Sequence, residues 1–191
     1  MKTVQLGYRF EQAFILAREL HAGQKRKLGR APYVSHLLMV AAEVLENGGT
    51  EDHAIIALLH DSAEDQGGEK TLTRIEELFG ADIASMVEAC SDTLKKPKPP
   101  WRKRKETHLQ RLRKAPKEVC LIMLADKLCN ARSLLRGLSQ QGESVWSHFS
   151  SGKEGTLWYY RQMHQLLSKR HPGVMADELD SLLEKIEHFS S

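Results

Sequence analysis

Apolar residues recur at spacings of three and four along nearly the whole chain, and no stretch alternates apolar with polar over the length of a strand. That pattern commits the chain to helices, because a period near 3.6 gathers every third and fourth side chain on one face. Leu6, Phe10, Ala13, Phe14, Ala17 and Leu20 form the first such face. Val34, Leu37, Leu38, Ala41, Val44 and Leu45 form the second, opened by Pro32, whose fixed φ suits a first helical turn. Gly48 and Gly49 end it. Thr50 can then cap a third helix through Ile55, Ile56, Leu58 and Leu59, until Gly67 and Gly68 break it. Short helices are predicted from Thr71 to about Phe79 and from Asp82 to Ser91, followed by a proline-rich linker, Lys95 to Pro100. Trp101 to Lys114 reads as a basic helix. Pro116 opens a longer one, Val119 to about Leu135, so apolar over VCLIMLA that a central position is expected. Gly152 and Gly155 flank a turn before an aromatic helix beginning at Leu157, and Pro172-Gly173 precedes a last helix with Leu179, Leu182, Leu183 and Ile186. With 191 residues against about 150 per domain, the expected architecture is all-α and single-domain over residues 1–191. Within it, C-terminal helices at 155–189 pack on a core at about 8–140.

No apolar run approaches the roughly 18 residues of a membrane span, and Met1 to Leu20 mixes charge among its apolar positions as an amphipathic helix does. Neither a membrane partner nor a leader is expected. Cys90, Cys120 and Cys129 are odd in number, widely spaced and free of any CxxC, which points to a reduced, cytoplasmic setting.

Against this apolar pattern, three groups of residues stand out. The run AIIALLHDSAED ends in His60-Asp61 and continues to Glu64-Asp65, which on one helix would form a single titratable stripe. The plain alternative is a solvated helix end. Asp126 interrupts the most apolar helix, with Asn130 and Ser133 following on the same face. A carboxylate there needs a cation or several donors, and Lys127 or Arg132 could supply a simple ion pair instead. His36 lies within YVSHLLMVAA, where a hydrogen-bonded core histidine is the ordinary reading. Taken together, His36, His60, Asp61 and Asp126 make a mixed imidazole–carboxylate ligand set from three helices, suited to Mn²⁺, Fe²⁺ or Zn²⁺ rather than Ca²⁺.

The net charge of +3 conceals a polarity. Lys95 to Lys117 carries eleven Lys or Arg against one acid, Glu106, while the rest of the chain carries 17 basic and 24 acidic residues. Such a block is either a solvated face or an electrostatic funnel for a polyanion, and the prediction is that it lies at the mouth of the site. It has few interleaved aromatics and matches no nucleic-acid motif, so nucleic acid is not the expected partner.

The order H…HD…D resembles the HD-domain phosphohydrolases. LHAGQKRKLGRAPYVSHLLMVA, LLHDSAED and LADKLCNARSL are similar to the hydrolase domain of the RelA/SpoT alarmone enzymes. They are most similar to its free-standing versions, the small alarmone hydrolases, a group that includes the metazoan SpoT homologue. The similar region runs from about Phe10 to Leu135. The resemblance implies an all-helical HD domain holding one Mn²⁺, which removes the 3′-pyrophosphate from guanosine tetra- or pentaphosphate. By the same resemblance His36, His60, Asp61 and Asp126 are the metal ligands, and Glu64 and Asp65 orient or deprotonate the attacking water. Arg26 and Lys27 lie against base and phosphates, Asn130 contacts the ribose, and Ser133 stands where Thr or Asp is usual. The chain departs from the family in His36-Leu37 for His-Pro and in Glu64-Asp65-Gln66 for Glu-Asp-Thr.

The chemistry is coherent on the residues alone. A divalent ion activates water and neutralises phosphoryl charge, and carboxylates one turn beyond the ligands can take the water's proton. Arg26 offers a planar fork to phosphate. Tyr159 is expected in the core or the site wall, with Arg161 beside it a further candidate phosphate contact, and His21 is expected to be a structural hydrogen-bonding residue. Two other functions compete: an HD phosphohydrolase for another nucleotide (a nucleotide or NADPH phosphatase), and a basic RNA- or protein-binding module with a vestigial metal site.

Overall fold

A computed structural model describes residues 4–189. Among them the chain is all-α, with no strand and a lone bridge between Lys25 and Pro32. The helices are α1 (Tyr8–Leu20), α2 (Val34–Glu46), α3 (Glu51–Leu59), α4 (Ser62–Asp65) and α5 (Glu69–Phe79). They continue with α6 (Ala81–Cys90), α7 (Trp101–Leu112), α8 (Lys117–Gln141), a 3₁₀ segment (Gly142–His148), α9 (Gly152–Arg170) and α10 (Val174–Phe189). The apolar faces close on one continuous core that includes residues from α1 to α10.

The central helix is α8, against which α2, α3, α6, α9 and α10 pack. Its apolar residues are buried all round: Ile122, Leu124, Leu128 and Leu134 are each at most 1% exposed. Burying one such side chain contributes about 1.5–3 kcal/mol, so this helix both anchors the bundle and holds whatever polar group it carries in a fixed frame. α2 and α3 form a close antiparallel pair joined by Gly48 and Gly49. A Cβ on Gly49 would lie 2.5 Å from Val44 Cγ1 and 2.6 Å from the Val44 carbonyl, so only glycine permits this turn. Thr50 caps α3 as expected, in a reciprocal box with His53.

Three boundaries differ from the sequence-based expectation. The third helix does not run on to Gly67 but stops at Leu59, and α4 restarts at Ser62. His60 Nδ1 donates to the Ala57 carbonyl at 2.7 Å, the acceptor a continuing helix would offer to the amide of Asp61. His60 and Asp61 therefore sit at a turn, and the single stripe expected through Asp65 does not form. α8 runs beyond Leu135 to Gln141, where Gly142 turns at φ +59°. Gly152 and Gly155 do not flank a turn; both lie within α9, and Gly155 lets Ser151 and the Trp101 ring approach closely.

Candidate active site

Three segments meet behind one cavity wall. His36 comes from the buried face of α2, His60 and Asp61 from the α3–α4 turn, and Asp126 from the middle of α8. His36 Nε2 lies 3.0 Å from Asp126 Oδ1, and His60 Nε2 lies 3.0 Å from Asp61 Oδ2. The crossed distances, His36 to Asp61 and His60 to Asp126, are both 3.7 Å. Ligand atoms of His36, His60 and Asp126 all fall within 4.8 Å of one another, and Asp61 faces both imidazoles.

The donor set fits a divalent cation. His36 and His60 are buried, yet neither Nε2 makes a hydrogen bond. An unpaired buried nitrogen costs about 1–3 kcal/mol, which coordination would remove. The Ala57 carbonyl can only accept, so His60 carries its proton on Nδ1 and turns Nε2 to the cluster. Burial holds His36 below the usual imidazole range. Burial works the same way on His60, but the Asp61 and Asp126 carboxylates outweigh it and raise its proton affinity well above the usual range. Burial opposes ionisation of Asp61 and Asp126 too; His60 outweighs it for Asp61, and Lys127 with both imidazoles for Asp126. Two carboxylates thus stay ionised where positive charge is wanted.

Residues around the cluster fix it in place. Tyr33 Oη donates to Asp61 Oδ2 at 2.6 Å, and Lys127 Nζ donates to Asp126 Oδ2 at 2.6 Å. Asn130 Nδ2 donates to Asp126 Oδ1. The simple Asp126–Lys127 pair weighed from sequence is therefore real, but it occupies one oxygen and leaves Oδ1 directed at the histidines. Arg132 goes elsewhere, to Glu43 and Glu178. Tyr33 was not singled out in the sequence; its only signal is its place three residues before His36.

Tyr33, Lys127 and Asn130 also line a cavity of about 570 Å³, so the cluster sits directly behind that wall. Arg26, Lys27, Ser133 and Tyr159 line it as well. Arg26 donates to Asn130 Oδ1 at 2.7 Å, and Lys27 Nζ lies 5.2 Å from the centre of the Phe149 ring. Glu64 and Asp65 reach the cavity but differ in their partners. Glu64 accepts from Lys98 at 2.9 Å and from the Asp92 backbone N–H at 2.8 Å. Asp65 accepts on Oδ2 from Gln24 Nε2 at 2.9 Å, and burial followed by the Asp61 charge raises its pKa.

The basic segment reaches the cavity through Lys98, Arg104 and Lys105. Arg104 and Lys105 both pair with Asp92, which is 6% exposed and anchors this wall. Asp92 was missed because its partners are distant in sequence and it lies outside the charge block. Arg102 lies over the Trp158 ring at 3.3 Å and pairs with Glu106, away from the lining. Tyr159 presents its ring to Lys105 at 4.5 Å and Lys127 at 5.6 Å, with its hydroxyl 3.0 Å from His108 Nδ1. Arg161 is a correction to the sequence reading. It is not among the lining residues, and its guanidinium spans Asp180 at 2.7 Å and Glu187 at 2.6 Å, tying α9 to α10.

A helical bundle that gathers two histidines and two aspartates around one point, with carboxylates and cations in an adjoining cavity, presents a candidate His/Asp metal site. The chain belongs to the HD domain family, whose profile matches residues 13–157. It is 37% identical over 147 residues to the guanosine-3′,5′-bis(diphosphate) 3′-pyrophosphohydrolase MESH1 of Xenopus tropicalis, covering 73% of this chain and 79% of that protein. It is also 37% identical over 134 residues to the bifunctional (p)ppGpp synthase/hydrolase SpoT of Escherichia coli, covering 66% of this chain but only 18% of that larger enzyme. Among solved structures, a metazoan orthologue of SpoT superimposes with a TM-score of 0.76 over 95% of this chain and 97% of its own, at 24% identity, which speaks for the fold. A Listeria monocytogenes protein superimposes with a TM-score of 0.68 at 28% identity, covering 82% of this chain and 99% of its own.

Proposed function

We propose that this chain is a metal-dependent phosphohydrolase that removes the 3′-pyrophosphate from guanosine tetra- or pentaphosphate. The observation that carries the reading is the buried His36–His60–Asp126 cluster with unpaired imidazole nitrogens, set behind a cavity lined by both carboxylates and cations. The frog and bacterial relatives named for this activity support the choice of substrate. The ion is proposed to be Mn²⁺, with Fe²⁺ or Zn²⁺ compatible with the same donors. Held by His36, His60, Asp61 and Asp126, it supplies acidified water and neutralises charge growing on the phosphoryl oxygens.

The remaining chemistry belongs to the side chains. Arg26 and Lys27 on one side, and Lys98, Arg104 and Lys105 on the other, offer cations to a multiply phosphorylated anion. Asn130 and Ser133 offer polar atoms to a sugar, and the rings of Trp101 and Tyr159 give a stacking wall. Asp65 takes a proton from water as the water's oxygen bonds to the phosphorus carried on O3′; the O3′–P bond breaks, O3′ receives the proton back from Asp65 through solvent, and pyrophosphate departs with the water's oxygen. Because a stacking wall accepts any base, a second phosphorylated nucleotide substrate is the alternative reading. A nucleic-acid-binding face is not favoured, since the basic segment carries few interleaved aromatics and matches no nucleic-acid motif. A cytoplasmic setting accords with three buried free thiols.

The test is to incubate purified protein with guanosine tetraphosphate and Mn²⁺, with and without chelator, beside His60→Ala/Asp61→Ala. Metal-dependent pyrophosphate release by the wild type alone is expected. Bound metal without release would sink the alarmone assignment, and a panel of nucleotides including NADPH then identifies the substrate. A chain that binds no metal would sink the hydrolase reading itself.

A further inference from the structure

Glu64 and Asp65 are neighbours in sequence, but only Asp65 keeps a carboxylate oxygen without a hydrogen bond among the described residues. Both oxygens of Glu64 are occupied, by Lys98 and by the Asp92 amide. Asp65 is held through Oδ2 alone, by Gln24. The Gln24 amide is in turn fixed on its other side. Its Oε1 accepts from Gln66 Nε2 at 2.6 Å and lies 2.7 Å from His21 Nδ1. His21 is buried, with Nε2 3.2 Å from Ser62 Oγ and its ring stacked on Tyr33 at 5.0 Å.

These contacts admit one orientation of the amide. A carboxylate only accepts, so the Gln24 NH₂ faces Asp65, and its oxygen is left to Gln66 Nε2 and to His21 Nδ1, which donates in the tautomer that carries its proton there. Reversing it would set the amide oxygen against the Asp65 carboxylate. The Gln24 backbone is tied as well, its carbonyl accepting from Tyr33 N–H at 2.8 Å. The same Tyr33 donates to Asp61, so the loop that carries Gln24 is referenced to the metal cluster.

We propose that Gln24 is a positioning residue: its amide, locked by His21 and Gln66, aims Asp65 at the water that the reaction consumes. Gln24 acts through Asp65, and Gln66 acts through Gln24. The proposal rests on the hydrolase reading above, which the wild-type assay tests separately.

The experiment is steady-state kinetics of the full chain on guanosine tetraphosphate with Mn²⁺, with metal content measured for each variant. Gln24→Met keeps the size and removes the amide; kcat is expected to fall about tenfold to a hundredfold with KM within about twofold, the cost of a misaligned catalytic group. Gln24→Glu places like charge against Asp65 and is expected to fall further. Gln66→Met, which is not in the cavity lining, is expected to lower kcat several-fold with KM unchanged. In an Asp65→Asn background, Gln24→Met is expected to cause no additional loss, since its effect passes through the missing carboxylate. Should Asp65→Asn leave no measurable activity, the order Gln24→Glu below Gln24→Met below wild type decides for the proposal and any other order against it, whereas an Asp65→Asn variant as active as wild type overturns it. An unchanged kcat in Gln24→Met overturns it, as does a raised KM with kcat intact, which would make Gln24 a substrate contact. The same loss in both backgrounds, or a loss matched by lost metal, makes the role merely structural and also overturns it.

Discussion

His36 Nε2 and Asp126 Oδ1 stand 3.0 Å apart, each from a helix whose other fully buried residues are apolar. Lys127 and Asn130 already pair Asp126, while His36 Nε2 has no hydrogen bond. A cation bound among these groups would satisfy both, which would link metal binding to folding. Adding Mn²⁺ is expected to raise the melting temperature, with about 2.7 kcal/mol of stabilisation at a hundred times Kd. Chelator should reverse the shift, and His60→Ala/Asp61→Ala should not show it. Tyr33→Phe, which removes the donor to Asp61, is expected to weaken Mn²⁺ binding about 10–100-fold by calorimetry.

The basic segment divides into two sets. Arg104 and Lys105 line the cavity, while Arg102 lies on Trp158. Arg104→Gln or Lys105→Gln is expected to raise KM with little change in kcat, more strongly at low salt. Arg102→Gln/Lys103→Gln should leave both constants near wild type. Replacing Arg104 and Lys105 together strips the partners from buried Asp92, so a loss of about 3–5 kcal/mol in denaturant melts is expected. Asp92→Asn added to that double variant should restore part of it.

His108 gives the fold a pH dependence. Burial, then the Lys127 charge, depresses its pKa from 6.5 to about 3. Below pH 6.5 the unfolded chain binds a proton that the folded chain does not, so this contribution to stability is lost as pH falls toward about 3. The slope is at most about 1.4 kcal/mol per pH unit. Urea melts of His108→Gln should decline less steeply than wild type between pH 7 and about 5.

Arg161 serves the scaffold. Its guanidinium bridges two carboxylates of α10 at a partly exposed site. Arg161→Ala is expected to leave kcat and KM unchanged and to destabilise by roughly 1 kcal/mol, the scale of exposed ion pairs. A raised KM would return Arg161 to the substrate side.

Much of this molecule is legible in its residue pattern. The 3.6-residue period marks the helices, the Thr50 cap marks the start of α3, and the apolar run around Asp126 marks α8 as central. His36, His60, Asp61 and Asp126 were visible because each violates an apolar surround, a purely local signal. The break at His60 was not visible, since it depends on a side chain capturing the carbonyl of its own preceding turn. The anchor at Asp92 and the clamp at Gln24 were equally hidden, because their partners lie on other elements.

The sequence by itself determined the helical class, the four residues of the His/Asp cluster and the sign of charge near the site. Period, burial cost and charge are properties of neighbours along the chain, so they can be read without a fold. Only the tertiary structure decided which member of each pair is engaged and which is available. It gave Glu64 to Lys98 and Asp92, left Asp65 an open oxygen, sent Arg104 into the cavity and Arg161 out of it. Hydrogen bonds and ion pairs saturate with whatever lies within about 3 Å, and packing alone sets that neighbour.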